Sequence, residues 1–191
     1  MIKPNMVAVF TALMAVALGC NMSKLGIGGG EFTSEADKFS IAFPGGPIDV
    51  ETKDEKGGKY TGPGRSYSKS FDNRSDNYRS YEVQVFKVAT KPDSEANRRT
   101  TLLFGLNGWD EEPETIVKDV SINGQKAIDS TRTIEIGSAK MSFREVVFYS
   151  DADGNLYVVR IAAVKKENLT AKEADDFVNS FKLIGGGSKS R

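Results

Sequence analysis

Apolar residues recur at every second position between residues 38 and 44, where Phe39, Ile41 and Phe43 share one face of an expected strand that stops at Pro44-Gly45-Gly46-Pro47. The next runs, 65–71 and 78–89, read as two arms of a hairpin joined by the polar turn 72–76. In the second arm Val83, Val85 and Lys87 fall on one face and Gln84, Phe86 and Val88 on the other. The period then changes. Leu102, Leu103 and Leu106 stand at helical spacing, so a helix is expected over 93–107, with Asp93 or Ser94 as its cap and Gly108 near its stop.

Strands 115–122 and 125–134 follow, joined by Asn123-Gly124, the dipeptide best suited to the positive backbone angles of a type I′ turn. Strands 141–149 and 156–164 form another hairpin across 151–155. The stretches 146–149 and 157–159 are apolar on both faces, as central strands covered from two sides require. A last helix is expected from Thr170, whose hydroxyl and Glu173 would make a reciprocal capping box. Ala174, Phe177, Val178 and Phe181 give it one apolar stripe. Residues 185–191 read as a disordered polar tail, and no internal repeat is present.

Ahead of this domain lies an apolar run over 6–18, too short to cross a bilayer, which takes about 20 apolar residues. With Lys3 before it, and Gly19 and the only cysteine, Cys20, after it, the run reads as a removed signal peptide. The residues around Cys20 resemble the lipobox of bacterial lipoproteins, with Ala17 where leucine usually stands and Leu18 one place nearer the cysteine. The resemblance implies a lipid anchor at Cys20: a diacylglycerol and an N-acyl chain, each buried methylene contributing about 0.8 kcal/mol of membrane affinity. Ordinary cleavage to a soluble product, or a buried free cysteine, are the alternatives. Asn21, standing where an inner-membrane retention signal would have aspartate, leans toward the outer membrane. The glycine-rich stretch that follows reads as a flexible tether, since a nucleotide-binding glycine loop needs a preceding strand and a following helix. The expected division is a signal peptide over 1–19, lipidated Cys20 and tether over 20–31, one domain over 32–184, and the tail.

Composition narrows the chemistry. The chain has 26 basic and 26 acidic side chains; losing residues 1–19 removes Lys3, leaving 25 − 26 = −1, which offers no global attraction to nucleic acid. There is no histidine, so the commonest general base, the imidazole metal ligand and every histidine-dependent triad are missing. With Cys20 committed to lipid, thiol chemistry and disulfides are also gone. A non-enzyme without cofactor is expected.

The order of strand, hairpin, helix, two hairpins and helix, with Phe39-Ser-Ile-Ala-Phe-Pro44 at one end, Ala174 to Leu183 at the other and Asp153 to Arg160 between, resembles the PsbP-type domain. That family is shared by an extrinsic photosystem protein, a Ran-binding nuclear transport factor and small bacterial lipoproteins. The resemblance implies an α+β fold, an antiparallel β-sheet sandwiched by helices, and an accessory or binding role; fold kinship by itself transfers function poorly.

Candidate functional residues fall in three groups. Arg65, Tyr67, Arg74, Tyr78, Arg79 and Tyr81 interleave cations with aromatic rings and could meet anionic headgroups, a glycan or an acidic partner, the alternative being an ordinary half-exposed hairpin. Asp151, Asp153 and Asn155 around Gly154 imitate the start of a calcium loop but lack its distal glutamate, so a hairpin turn is the competing reading. Glu111, Glu112 and Glu114, and Asp175 with Asp176, are paired carboxylates that read as solvated surface, and Trp109 reads as core or contact. The expected function is a membrane-tethered, non-catalytic envelope lipoprotein that binds or scaffolds an envelope protein partner. A small-ligand or cation-binding periplasmic domain is the alternative.

Overall fold

The double-sided apolar runs become the inner strands of an antiparallel sheet. A computed structural model describes residues 30–45, 48–53, 64–73, 76–106, 115–136 and 139–185. In chain order its elements are β1 (Glu31–Ser34), β2 (Phe39–Ala42), β3 (Asp49–Lys53), β4 (Gly64–Phe71), β5 (Arg79–Lys87), α1 (Glu95–Phe104), β6 (Ile116–Ile122), β7 (Gln125–Ile136), β8 (Ala139–Tyr149), β9 (Asn155–Ala163), a short 3-10 turn (Lys166–Leu169), α2 (Lys172–Ser180) and β10 (Lys182–Leu183). Seven strands form one sheet in the order β3-β4-β5-β9-β8-β7-β6; β1, β2 and β10 form a second, small sheet. Every pairing is antiparallel.

The large sheet has a core on each face. On one, α1 brings Leu102 and Leu106 onto Phe86, Ile128, Val147, Leu156 and Val158. On the other, Phe177 and Val178 of α2, Phe181 just after it, and Phe39, Ile41 and Phe43 in and just after β2 cover Tyr81, Val83, Val146, Phe148, Tyr157 and Val159. This is the α+β sandwich expected from the sequence, with one amendment: the α2 side is a mixed layer of helix and small sheet. Phe181 is the pivot of that layer, stacked 4.7 Å from Phe148 and 5.8 Å from Phe39.

The chain corrects three local expectations. Glu31, assigned above to the tether, pairs with Ala42 in β1. The capping box does not form: α2 starts after Ala171 without a side-chain cap, and Thr170 donates instead to the Glu167 carbonyl. Glu173 is drawn away to accept from the Tyr81 hydroxyl at 2.6 Å, a buried donor that has stronger need of a partner than a solvated helix end. The helix over 93–107 is shorter at both ends, capped by Ser94 Oγ accepting from Asn97 N and closing at Gly105.

Toward the ends of the strands away from Leu156, the α1 face turns polar. Glu145 of β8, 1% exposed, accepts from Arg132 of β7 at 3.2 Å and from Arg160 of β9 at 2.7 Å, and Arg160 reaches Glu82 of β5 at 3.3 Å. Four strands are thus tied through one ionic chain. Glu145 sits between two guanidiniums, and Glu82 is held by Arg160, Ser66 and Gln84, the condition under which buried charge is tolerated.

Candidate functional site

Between β1 and β2 the chain turns in four residues, 35–38, with Lys38 at φ 56 and the Asp37 amide donating to Ser34 Oγ at 3.2 Å. The turn holds Asp37 against the large sheet with 8% of its surface exposed. One carboxylate oxygen accepts from Arg65 of β4 at 2.9 Å and the other from the Tyr67 hydroxyl. Ser34 Oγ lies 3.0 Å from the same hydroxyl, and because that hydroxyl donates to Asp37, Ser34 donates to it. The Tyr157 hydroxyl of β9 is shared between the Asp37 carbonyl at 2.7 Å and Oδ2 of Asp153 at 2.9 Å.

The β8–β9 turn completes the arrangement. Asp153 Oδ1 accepts from the Asn155 amide at 3.0 Å, Asn155 Nδ2 donates to Tyr157, and Gly154 takes φ +70, where a side chain would be strained. Lys87, at the end of β5, donates to the Asp153 carbonyl. The two turns and the strand ends enclose an open cavity of about 470 Å³. Its charged lining is Asp37, Lys38, Arg65, Lys87 and Asp153, with Asn155, Ala36 and Val85 between them.

The electrostatics fix protonation states. Burial, reinforced by the bond to Asp37, pushes the Tyr67 hydroxyl up to about 12. Burial also drives Tyr157 far above the ordinary tyrosine value. The Asp37 charge holds the Arg65 guanidinium even more firmly protonated than usual.

The candidates read from the sequence are redistributed. Arg65, Asp153 and Asn155, drawn from two separate groups, meet at this one cavity. Tyr67 and Tyr81 do not present their rings to solvent: they are 4% and 1% exposed, because odd-numbered positions of β4 and β5 face the α2-side core. Tyr78 and Arg79 lie at the other end of the hairpin, about 20 Å from Arg65 at 3.3 Å per residue. There Arg79 contacts Glu173 at 3.3 Å and covers the Phe71 ring at 5.0 Å. A continuous basic-aromatic surface is therefore not formed by these residues, and Arg74 lies outside the described residues.

The calcium-like trio is likewise divided. Asp151 turns to α1, paired with Arg98 and with Lys91 at 3.6 Å, while Asp153 and Asn155 serve the turn and Tyr157. Among the described residues no cluster of three or more acidic, cysteine or histidine side chains is placed to hold a metal. Asp175 accepts from Arg144 at 2.5 Å and Asp176 pairs with Lys172. Cys20, the apolar run 6–18, Trp109, Glu111, Glu112 and Glu114 lie outside the described residues, and among those described no helix is long and apolar enough to cross a membrane.

Asp37, Lys38, Lys87 and Tyr157 escaped the sequence reading. Asp37 and Lys38 look like any polar turn, and Tyr157 sits inside an apolar run. The usable signal was the tyrosines on inner positions of Arg65–Phe71, Tyr78–Ala89 and Leu156–Val164, since a buried tyrosine hydroxyl requires a partner.

No family model matches the chain, and no characterised protein matches its sequence. Solved structures resemble it in part. A protein from Bacteroides thetaiotaomicron has 11% identity and a TM-score of 0.48 over 83% of this chain, which spans about half (49%) of that protein's length. LpqN, involved in cell envelope biogenesis of Mycobacterium tuberculosis, has 11% identity and a TM-score of 0.45 over 82% of this chain and 85% of its own. The Ran-binding protein Mog1p of Saccharomyces cerevisiae has 10% identity and a TM-score of 0.46 over 83% and 97%. Likeness at this level does not reach to what the chain binds.

Proposed function

We propose that this chain is a non-catalytic accessory module of a bacterial envelope, a PsbP-like domain tethered by lipid at Cys20, which engages its ligand or protein partner at the cavity between the β1–β2 and β8–β9 turns. The observation that carries this reading is the state of the cavity's acids. Tyr67 and Tyr157 are pushed away from neutral pH and are not poised to exchange protons, and the Asp37 carboxylate is held in place by Arg65 and Tyr67. Lysine and arginine side chains remain at the rim, where a partner can reach them.

The tether fits the same picture. It would enter at Glu31, paired with Ala42, whereas the cavity is built on the opposite end of β1, where Ser34 pairs with Phe39. Two measurements test the proposal. Mass spectrometry of protein extracted from its own envelope is expected to find Cys20 as an acylated N-terminus; an intact leader with a free thiol sinks the anchor. A photo-crosslinking residue at Lys38 is expected to capture a reproducible envelope component, and the same label at Lys140 is not. Equal capture at both positions sinks the cavity as the contact.

A further inference from the structure

Resting on that reading, we infer that the cavity binds a small monoanionic carboxylate with a short apolar portion. The argument is one of uncommitted hydrogen-bonding capacity. Each oxygen of the two acids lies within reach of a donor, the one Tyr157 proton being divided between two of them. On Asp37, Oδ1 takes Arg65, Oδ2 takes Tyr67 and the carbonyl takes Tyr157. On Asp153, Oδ1 takes the Asn155 amide, Oδ2 takes Tyr157 and the carbonyl takes Lys87. A cation entering here would have to compete with these donors for the oxygens.

The donors are in the opposite condition. Arg65 has five N–H groups in a fixed fork and is held by Asp37 through one nitrogen, with 43% of its side chain still exposed. Lys87 has three protons and directs one at a backbone carbonyl. Among the described residues Lys38 pairs with the exposed Glu35 at 3.6 Å. What the cavity offers to a newcomer is donors, which suits an oxyanion.

Charge selects among oxyanions. In the lining, Lys38, Arg65 and Lys87 against Asp37 and Asp153 give 3 − 2 = +1, and Glu35 beside Lys38 lowers even this, so the site balances at most one negative charge, which suits a carboxylate better than a phosphate dianion. Volume and lining select the remainder of the ligand. About 470 Å³ is more than a bare carboxylate fills and falls within the range of small-molecule sites, and Val85 and Ala36 supply apolar contact. The fork is set in advance, because the Asp37 carboxylate and the Tyr67 hydroxyl fix the guanidinium before a ligand arrives.

Two sources share this chemistry: a free short-chain acid, and the C-terminal carboxylate of a peptide. The experiment titrates the full-length protein in detergent with butanoate, butanamide, N-acetyl-dialanine, its amide and inorganic phosphate, following arginine and lysine side-chain NMR signals. Saturable shifts at Arg65 and Lys87 are expected with a carboxylate and not with its amide, and the tighter of butanoate and N-acetyl-dialanine identifies the source. Lys87→Gln, at an exposed position where the fold does not depend on the charge, is expected to weaken binding about tenfold, and Arg65→Gln to abolish it. Amide binding as tight as acid, phosphate binding tighter than either carboxylate, or an unchanged affinity in Lys87→Gln overturns the inference. So does the absence of saturation by both acids, and in that case capture by the label at Lys38 still decides the wider function separately.

Discussion

The Tyr157 hydroxyl donates to the Asp37 carbonyl across 2.7 Å and 120 positions of chain. Through this bond a central strand of the large sheet fixes the turn of the small one. Asp37 answers with its side chain, tying Tyr67 and Arg65 of β4. One residue in a four-residue turn therefore holds two strands of the large sheet, β4 and β9, and the cavity exists because that turn is held in place.

Replacing Asp37 by alanine should leave the buried Tyr67 hydroxyl with Ser34 Oγ as its remaining partner and free Arg65, costing about 2–3 kcal/mol of stability. Tyr67→Phe in the same background should recover part of the loss, with a coupling of about 1–2 kcal/mol in a double-mutant cycle. Urea unfolding monitored by far-UV circular dichroism measures both. Additive losses would mean that the pair does not interact.

Glu145→Ala removes the carboxylate from between Arg132 and Arg160 and should cost about 3–5 kcal/mol. Replacing Glu145, Arg132 and Arg160 together by leucine and methionine, with Glu82→Gln to remove the carboxylate that Arg160 pairs with, should cost much less, because no ion of the chain is then left without its partner. Denaturant midpoints of the two variants give the comparison, and a combined variant as unstable as the single one would contradict the account.

Thr170→Ala should change stability by less than about 0.5 kcal/mol, since no capping bond is lost. Glu173→Ala should cost about 1–2 kcal/mol by depriving Tyr81 of its acceptor. If the order of the two effects is reversed in thermal melts, the capping box forms in solution after all.

Alkali should unfold the domain through its tyrosines. The folded value of Tyr67 is raised from 10.0 to about 12, so the unfolded chain loses that proton first. The stabilisation is complete below pH 10 and is lost as pH rises from 10 through about 12. Tyr81 and Tyr157 are shifted in the same direction, chiefly by burial. Tyrosinate absorbance of these three should therefore appear late and together with the loss of circular dichroism. Smooth titration of all the tyrosines near pH 10 in a folded protein would refute it.

The sequence made the apolar skeleton legible and the polar joints illegible, for a physical reason. Sequence patterning marked β2, β4, β5, β6, β7, β8, β9 and both helices to within a few residues of their ends. The strands Glu31–Ser34, Asp49–Lys53 and Lys182–Leu183 were missed because they are short and largely polar; their pairing comes from a neighbour already in place. The site divided along the same line. Arg65, Asp153 and Asn155 stood out by residue type, but Asp37 acquires its role from a tyrosine on another strand, and local sequence carries no trace of that contact. Glu173 shows the converse, a local cap motif overruled by a buried hydroxyl.

The order of the large sheet divides the chain into two antiparallel meanders, β3-β4-β5 and β6-β7-β8-β9, which meet along β5 and β9 over nine paired positions. No other strand pairing of that sheet crosses between them. A chain opened in the loop before α1 would yield two fragments, each keeping its own hairpins, that find one another by zipping β5 to β9 in the large sheet and β2 to β10 in the small one. The domain is thus a natural candidate for fragment complementation, in which recovery of the fold reports that both pieces occupy the same compartment.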